Sequence, residues 1–223
     1  MNVKTLSVIL LYLLIFASNA QAAEKSGWMT MEYQSDSRNF NTLNVTGASS
    51  LPGGFSISGF TDLEGRKGLD RKENDIVTFF TEIRVKTKAK KYIGLIAEIN
   101  VRSGTRNDIG RLGFYFQPKW DFLKKNKIFF FAKALPVETD EKGGQLSFAW
   151  NVVVPKIFDG RLSLGGYYDY NIKSGPDEGI HVVSDTQFRF RLIEDLSLLV
   201  EYRYNGYLSS KNNGVGTGLQ YRF

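Results

Sequence analysis

The sequence has 223 residues, a formal net charge of +6 at pH 7, one histidine and no cysteine. The lack of cysteine excludes a disulfide framework and a lipid-attachment cysteine, and no nucleic-acid motif or Lys/Arg-rich tail accompanies the positive charge. The mean hydropathy of −0.24 and the lack of a long apolar run after residue 22 exclude a helical membrane protein. A membrane barrel stays possible, because alternating strands average out to neutral hydropathy.

The amino terminus has the pattern of a secretory signal peptide. Lys4 supplies a positive charge, residues 6–17 form an apolar run, and Ala20-Gln21-Ala22 is a small-x-small cleavage site. The run is shorter than the roughly 20 apolar residues that a membrane-spanning helix needs. We predict a cleaved signal peptide over 1–22 and one domain over 23–223, in a Gram-negative bacterium. An uncleaved anchor or a buried first helix is the alternative.

The rest of the chain predicts twelve β-strands. They are placed at 28–35, 42–49, 55–64, 75–86, 91–102, 109–120, 127–137, 145–154, 161–172, 180–192, 197–207 and 215–223. Most have the length that crosses a bilayer when tilted, whereas strands of soluble sheets usually have about 5 to 6 residues. Strand length therefore favours a membrane barrel over a soluble β-sandwich.

The predicted connections alternate between longer loops and shorter turns. With both termini in the periplasm, external loops are expected at 64–74, 138–144, 173–179 and 208–214, and periplasmic turns at 87–90 and 193–196. This asymmetry, with exceptions, is typical of outer-membrane barrels.

Each predicted strand has an apolar face and a face of charges, glycines and aromatics. A sandwich also alternates, but this mixture fits a crowded barrel lumen better. The residues predicted to line a solute path are Glu82, Arg84, Glu98, Arg111, Tyr115, Lys133, Tyr167, Arg189, Arg191, Glu201, Arg203 and Arg222. Trp28, Trp120, Tyr170 and Tyr207, near strand ends, are expected either in interfacial girdles or in ordinary packing.

The carboxyl terminus, GVGTGLQYRF, alternates strictly. Leu219, Tyr221 and Phe223 share one face, and Gln220 and Arg222 share the other. This resembles the carboxy-terminal signature of outer-membrane β-barrels, which implies recognition by the barrel-assembly machinery. Because a sheet in lipid leaves no backbone edge unpaired, the last strand should seal against the first. The predicted fold is an all-β, up-and-down, antiparallel transmembrane barrel of about twelve strands.

Three segments resemble the hairpins of twelve-stranded, Tsx-like nucleoside channels. They are SGFTDLEG at 58–65, FFTEIRV at 79–85 and VPKIFDGRLSLGGYYDYN at 154–171. The resemblance implies passive uptake of nucleosides or other small solutes through a narrow pore, and it transfers no ligand residue. Porins for oligogalacturonate or sialic acid are also compatible with the strand number and the basic lumen.

The predicted inner wall has a surplus of positive charge. Its thirteen basic residues are Arg84, Lys86, Arg102, Arg111, Lys119, Lys127, Lys133, Arg161, Lys173, Arg189, Arg191, Arg203 and Arg222. Its eight acidic residues are Glu32, Asp62, Glu64, Glu82, Glu98, Asp169, Asp185 and Glu201. We predict a porin-like channel for small solutes, anionic or nucleoside-like, because basic pore walls favour anions. The alternative is a plugged structural or scaffold barrel.

Catalysis is the least favoured function. Lipid-modifying barrels use a nucleophile with a histidine partner, and the single histidine, His181, begins a strand beside a loop. Asp62 and Glu64 are commoner as solvated charges than as metal ligands. We predict no catalytic residue, metal or cofactor. The expected partners are outer-membrane lipid, the barrel-assembly machinery and a small solute, with no nucleic-acid polymer.

Overall fold

A computed structural model describes residues 27–66, 76–104, 108–139, 142–174 and 178–223. Within them, twelve antiparallel strands pair in chain order and close into a barrel. They are β1 (Gly27–Asp36), β2 (Phe40–Ser50), β3 (Ser56–Arg66), β4 (Ile76–Lys86), β5 (Ile93–Arg102), β6 (Ile109–Phe116), β7 (Ile128–Glu138), β8 (Gly143–Val154), β9 (Leu162–Lys173), β10 (Gly179–Arg191), β11 (Leu196–Asn205) and β12 (Asn213–Arg222). The predicted fold class is confirmed; the predicted signal peptide and most of the predicted loop 64–74 lie outside the described residues.

The barrel closes where β1 pairs with β12. Thr30 lies opposite Arg222, and the pairing continues to Asp36 opposite Gly216. Gly218 sits in this seam, and a Cβ at its position would collide with the carbonyl oxygen of Tyr33. Close approach of the two backbones thus requires glycine here.

The barrel is apolar outside and polar inside. Leu95 and Phe114 are 55% and 54% exposed, whereas Lys133 and Glu201 are 2% and 1% exposed. A domain dissolved in water buries its large apolar side chains and leaves its charges outside. The reversed distribution matches a wall that faces lipid outside and a polar lumen inside.

A β-bulge in β7 changes which residues face the lumen. Leu112 lies opposite Val137, but Phe114 lies opposite Ala134, so two residues of β7 face the single residue Gly113 and β7 holds one extra residue. Pro136 lies in the bulge and has no N–H to donate to the ladder. The bulge moves Glu138 onto the same face as Lys133, although simple alternation over five residues would separate them.

The connections depart from the predicted asymmetry. Strand β6 ends at Phe116 and not at residue 120, since Pro118 cannot continue the ladder, and a short helix, α1 (Asp121–Lys125), follows. The resulting connection, 117–127, lies at the end of the barrel where β1 begins and β12 ends, here called the terminal end. At the opposite, far end, residues 37–39 alone join β1 to β2. These two connections are exceptions to the expected pattern of longer loops at the far end and shorter turns at the terminal end. No helix among the described residues has the length and apolar character needed to cross a membrane.

Candidate solute pathway

The barrel encloses a cavity of about 1510 Å³. Trp28 and Arg222 line it at the terminal end, and Arg38 and Lys173 line it at the far end. The cavity therefore extends along the barrel from one end to the other.

Most of the predicted pathway residues lie on this cavity. Those that line it are Glu82, Arg84, Arg111, Lys133, Tyr167, Arg189, Arg203 and Arg222. Glu98 and Glu201 are buried and contact lining residues, and Tyr115 belongs to a buried apolar cluster. Arg191, at the end of β10, is exposed and is not among the lining residues.

Glu98 is the centre of an ion-pair network on the wall formed by β4 to β7. Its carboxylate lies 3.3 Å from Nε of Arg84 and 3.1 Å from Nη1 of Arg111, and it also accepts from Lys133. Arg111 reaches on to Glu138, with 2.8 Å between Nε and Oε2. These charges satisfy one another, so the network fixes the wall and neutralises much of its positive charge.

Glu201 is the centre of a second network on the opposite wall. Nε of Arg203 lies 2.9 Å from its Oε1, while Gln34 and Gln187 donate to its Oε2 over 2.9 and 2.6 Å. Arg203 also lies 3.7 Å from Oδ2 of Asp185. Arg203 is thus balanced by two carboxylates, so it adds little free positive charge to this wall.

The charge surplus of the lumen is smaller than predicted. Nine basic and six acidic residues line the cavity among those that the structure describes. Lys119, Lys127 and Arg161 lie in exposed connections at the terminal end and not on inner strand faces. In addition, the bulge brings Glu138 to the network, where it accepts from Lys173.

Two arginines keep their charge available to a solute. Nη1 of Arg189 lies 3.5 Å from Oδ1 of Asn151, and its Nη2 donates to Gln187. Arg222 lines the terminal mouth of the cavity. Within the described parts of the chain, neither arginine contacts a carboxylate. Their guanidinium groups can therefore offer hydrogen bonds to a passing anion.

An apolar cluster that includes Tyr115 and Phe131 lies in one wall near the terminal end. Tyr115 stacks on Phe131 with 5.8 Å between ring centroids, and Nζ of Lys86 lies 5.1 Å from the centroid of Phe131. The Tyr115 hydroxyl donates to the Thr87 carbonyl oxygen over 2.7 Å and so ties the turn after β4 to the wall. Tyr115 has a packing role here and does not line the cavity.

The far mouth contains a pair that sequence reasoning missed. Arg38 binds Asp36 through two nitrogens, with Nε–Oδ1 and Nη2–Oδ2 distances of 2.9 and 2.6 Å. Gly214 leaves room for the Arg38 side chain, since a Cβ at residue 214 would collide with the Arg38 guanidinium. The sequence feature that could have indicated this pair is the two-residue spacing of Asp36 and Arg38 in a tight turn, where an aspartate side chain often bonds the backbone two residues on. Asp36 does accept a hydrogen bond from the backbone N–H of Arg38.

Two of the four aromatic girdle candidates face the cavity. Trp28 and Tyr207 are among the residues that line it, and Trp120 and Tyr170 are not. The rings of His181 and Tyr207 stack with 4.4 Å between their centroids, and Nδ1 of His181 lies 3.4 Å from the Gly206 carbonyl oxygen. No group of three or more candidate metal ligands occurs in the described ranges.

Comparison with known proteins identifies the fold. No protein-family model and no curated protein sequence matches the chain. It is similar to the KdgM porin in complex with disordered oligogalacturonate, at 13% identity over 88% of this chain and 99% of that chain, with a TM-score of 0.53. It is also similar to the NanC porin, at 9% identity over 86% of this chain and 98% of that chain, with a TM-score of 0.57. A third similar structure is outer membrane phospholipase A from Escherichia coli, at 11% identity over 92% of this chain and 96% of that chain, with a TM-score of 0.56.

These likenesses define a class. The chain has the fold of an outer-membrane β-barrel, of the kind seen in porins. At such low identity the likeness concerns the fold alone, and the narrower resemblance to Tsx-like nucleoside channels stays a prediction.

Proposed function

We propose that the protein is an outer-membrane channel through which small polar solutes diffuse, exported with cleavage after Ala22. The observation that carries the proposal is the cavity lined by residues at both barrel ends. Twelve strands enclose more room than the eight that side chains just fill. The porin fold supports both the channel and its location.

The chemistry of the lumen favours a small anionic solute that also carries hydroxyl groups. Arg189 and Arg222 present planar guanidinium groups that match carboxylate or phosphate oxygens. Asn151 and Gln220, which also line the cavity, can bond hydroxyls. The likeness to KdgM is one of fold, so the choice of an anion rests on these arginines. A neutral nucleoside is the alternative that the sequence resemblance implies.

A plugged structural barrel is the second candidate. The networks around Glu98 and Glu201 cross-link neighbouring strands and fill part of the interior. The two candidates differ in permeability, because a plugged barrel passes no solute.

We propose no enzymatic role, although one similar fold is that of a phospholipase. The contacts described for His181 are with the Tyr207 ring and the Gly206 carbonyl oxygen. The proposed partners are membrane lipid, the barrel-assembly machinery and the solute, with no nucleic-acid polymer.

Liposome swelling tests the channel directly. Liposomes that contain the refolded protein should swell in an uncharged monosaccharide faster than protein-free liposomes. Ala149 lines the cavity, so Ala149→Trp should slow the swelling. Ala97 is exposed on the lipid-facing side of β5, so Ala97→Trp adds the same bulk outside and should leave the rate unchanged.

Swelling by the wild type at the protein-free rate would contradict the channel and favour the plugged barrel. Equal slowing by the two substitutions would show that added bulk disturbs the barrel itself.

A further inference from the structure

The two ends of the barrel differ in charge. The connections at the terminal end, 51–55, 87–92, 117–127, 155–161 and 192–195, contain nine Lys or Arg and four Asp or Glu. The far connections contain seven basic and eight acidic residues. The positive charge outside the strands is therefore concentrated at the terminal end.

Three neighbouring connections hold all of this basic charge. We call residues 87–92, 117–127 and 155–161, which join β4 to β9 in adjacent pairs, the basic rim. Its lysines are Lys88, Lys90, Lys91, Lys119, Lys124, Lys125, Lys127 and Lys156, all exposed. Within the rim, Asp121 lies 3.5 Å from Lys124, and both side chains are well exposed, so this pair offsets little charge.

Aromatic side chains join the basic rim to the lipid-facing wall. Tyr92, Phe116 and Trp120 form an edge-to-face triad with centroid distances of 6.1 to 6.4 Å, which packs connection 87–92 against 117–127. Trp120 is 49% exposed, and Phe122 in α1 is 68% exposed. Large exposed rings beside lysines are typical of residues at the boundary between acyl chains and headgroups.

Phe158 supplies a similar ring on the third connection. It is 63% exposed and has a φ of 49°, a left-handed conformation that is costly for an aromatic residue. Its ring packs edge to face on Phe190 at 5.3 Å, which directs it along the outer wall. The turn therefore holds an apolar ring outside the barrel beside Lys156 and Arg161.

We propose that the basic rim binds the headgroups of anionic phospholipids. Lysine ammonium groups meet the phosphates, while Trp120, Phe122 and Phe158 insert at the headgroup boundary. With the termini in the periplasm, the rim lies against the phospholipid leaflet. A lipid occupant is favoured over a soluble acidic partner because the exposed rings are continuous with the lipid-facing wall, where Ile93 is 56% exposed.

The test measures lipid selectivity at the protein surface. The full chain is reconstituted in equimolar phosphatidylglycerol and phosphatidylcholine, and spin-labelled lipids report the relative association constant of the two. The wild type should prefer phosphatidylglycerol by on the order of twofold or more at low salt, with the preference falling as salt rises. Replacement of Lys90, Lys91, Lys124 and Lys125 by Gln should bring the ratio close to one.

A charge-matched pair of variants controls for net charge. Lys91→Gln with Lys125→Gln changes the rim, and Lys142→Gln with Lys211→Gln changes exposed lysines at the far end. Only the variant with Lys91→Gln and Lys125→Gln should reduce the preference for phosphatidylglycerol. Heat-modifiable migration on a gel checks that each variant is folded. A wild-type ratio of one, or an equal loss in the two pairs, would overturn the proposal and leave the rim available to a soluble acidic partner.

Discussion

The backbone N–H of Phe223 donates to the carbonyl oxygen of Met29 over 2.9 Å, so the last residue of the chain is hydrogen-bonded to the first strand. The ring of Phe223 packs edge to face on that of Tyr221, with 4.9 Å between the ring centroids, and Phe223 is 62% exposed on the outer wall. The terminal residue is thus part of the barrel seam, and its ring lies on the lipid-facing side.

Phe223→Asp should reduce the yield of assembled barrel severalfold while export continues. A charge on the lipid face opposes insertion, and it also removes the ring that the barrel-assembly machinery is expected to recognise. The measurement is the amount of heat-modifiable protein in the outer-membrane fraction. Phe223→Tyr keeps the ring and should assemble normally; normal assembly of the Asp variant would show that the terminal pattern has no role.

Gly218→Ala should destabilise the seam by about 1 to 3 kcal/mol, because its Cβ would meet the Tyr33 backbone. Gly216→Ala, two residues earlier on the same face, has Oε1 of the flexible Gln34 side chain as its nearest neighbour at 3.2 Å and should be tolerated. Urea unfolding in lipid vesicles compares the two. Equal stability of the variants would refute the close-approach argument.

Glu98→Gln should be among the most damaging single substitutions in the lumen. The change leaves Arg84, Arg111 and Lys133 around a neutral amide, and such unbalanced buried charge costs about 3 kcal/mol or more. Glu64→Gln serves as the control, since Glu64 accepts from Thr78 in an exposed position. A shift of the urea midpoint by Glu98→Gln no larger than that of the control would contradict the network.

Arg189 and Arg222 should set a preference for anions. A salt gradient across a planar bilayer should give a chloride-selective reversal potential that shrinks in Arg189→Gln with Arg222→Gln, most clearly below ~0.1 M salt. Arg161→Gln with Arg191→Gln removes the same charge from exposed positions away from the cavity lining and should change little. A cation-selective wild type, or equal effects of the two pairs, would exclude the arginine mechanism.

The strand pattern of this chain was predictable because the strands, outside the bulges, keep a period of two that lipid outside and a polar lumen inside both enforce. All twelve strands overlap their predicted ranges. The chief misplaced boundary, at the end of β6, reflects Pro118, whose effect on the ladder competes with the apolar pattern that continues to Trp120.

The lumen was predictable residue by residue only where alternation is unbroken. Glu138 was predicted in the external loop 138–144, but it ends β7, and the bulge at Leu135 and Pro136 turns it towards the lumen. A bulge is a property of two paired strands and not of one. The balance of charge was missed for a related reason. Arg203 points inward as predicted, but its partner Asp185 comes from the neighbouring strand, and pairing across strands sets its net effect.

Single-channel recording on the refolded wild-type protein tests the central claim most directly. A cavity that is lined at both ends and open to diffusion should give discrete current steps when the barrel inserts into a planar bilayer. If protein that is shown to be folded by heat-modifiable migration inserts and carries no current, the lumen is plugged and the proposed channel is wrong.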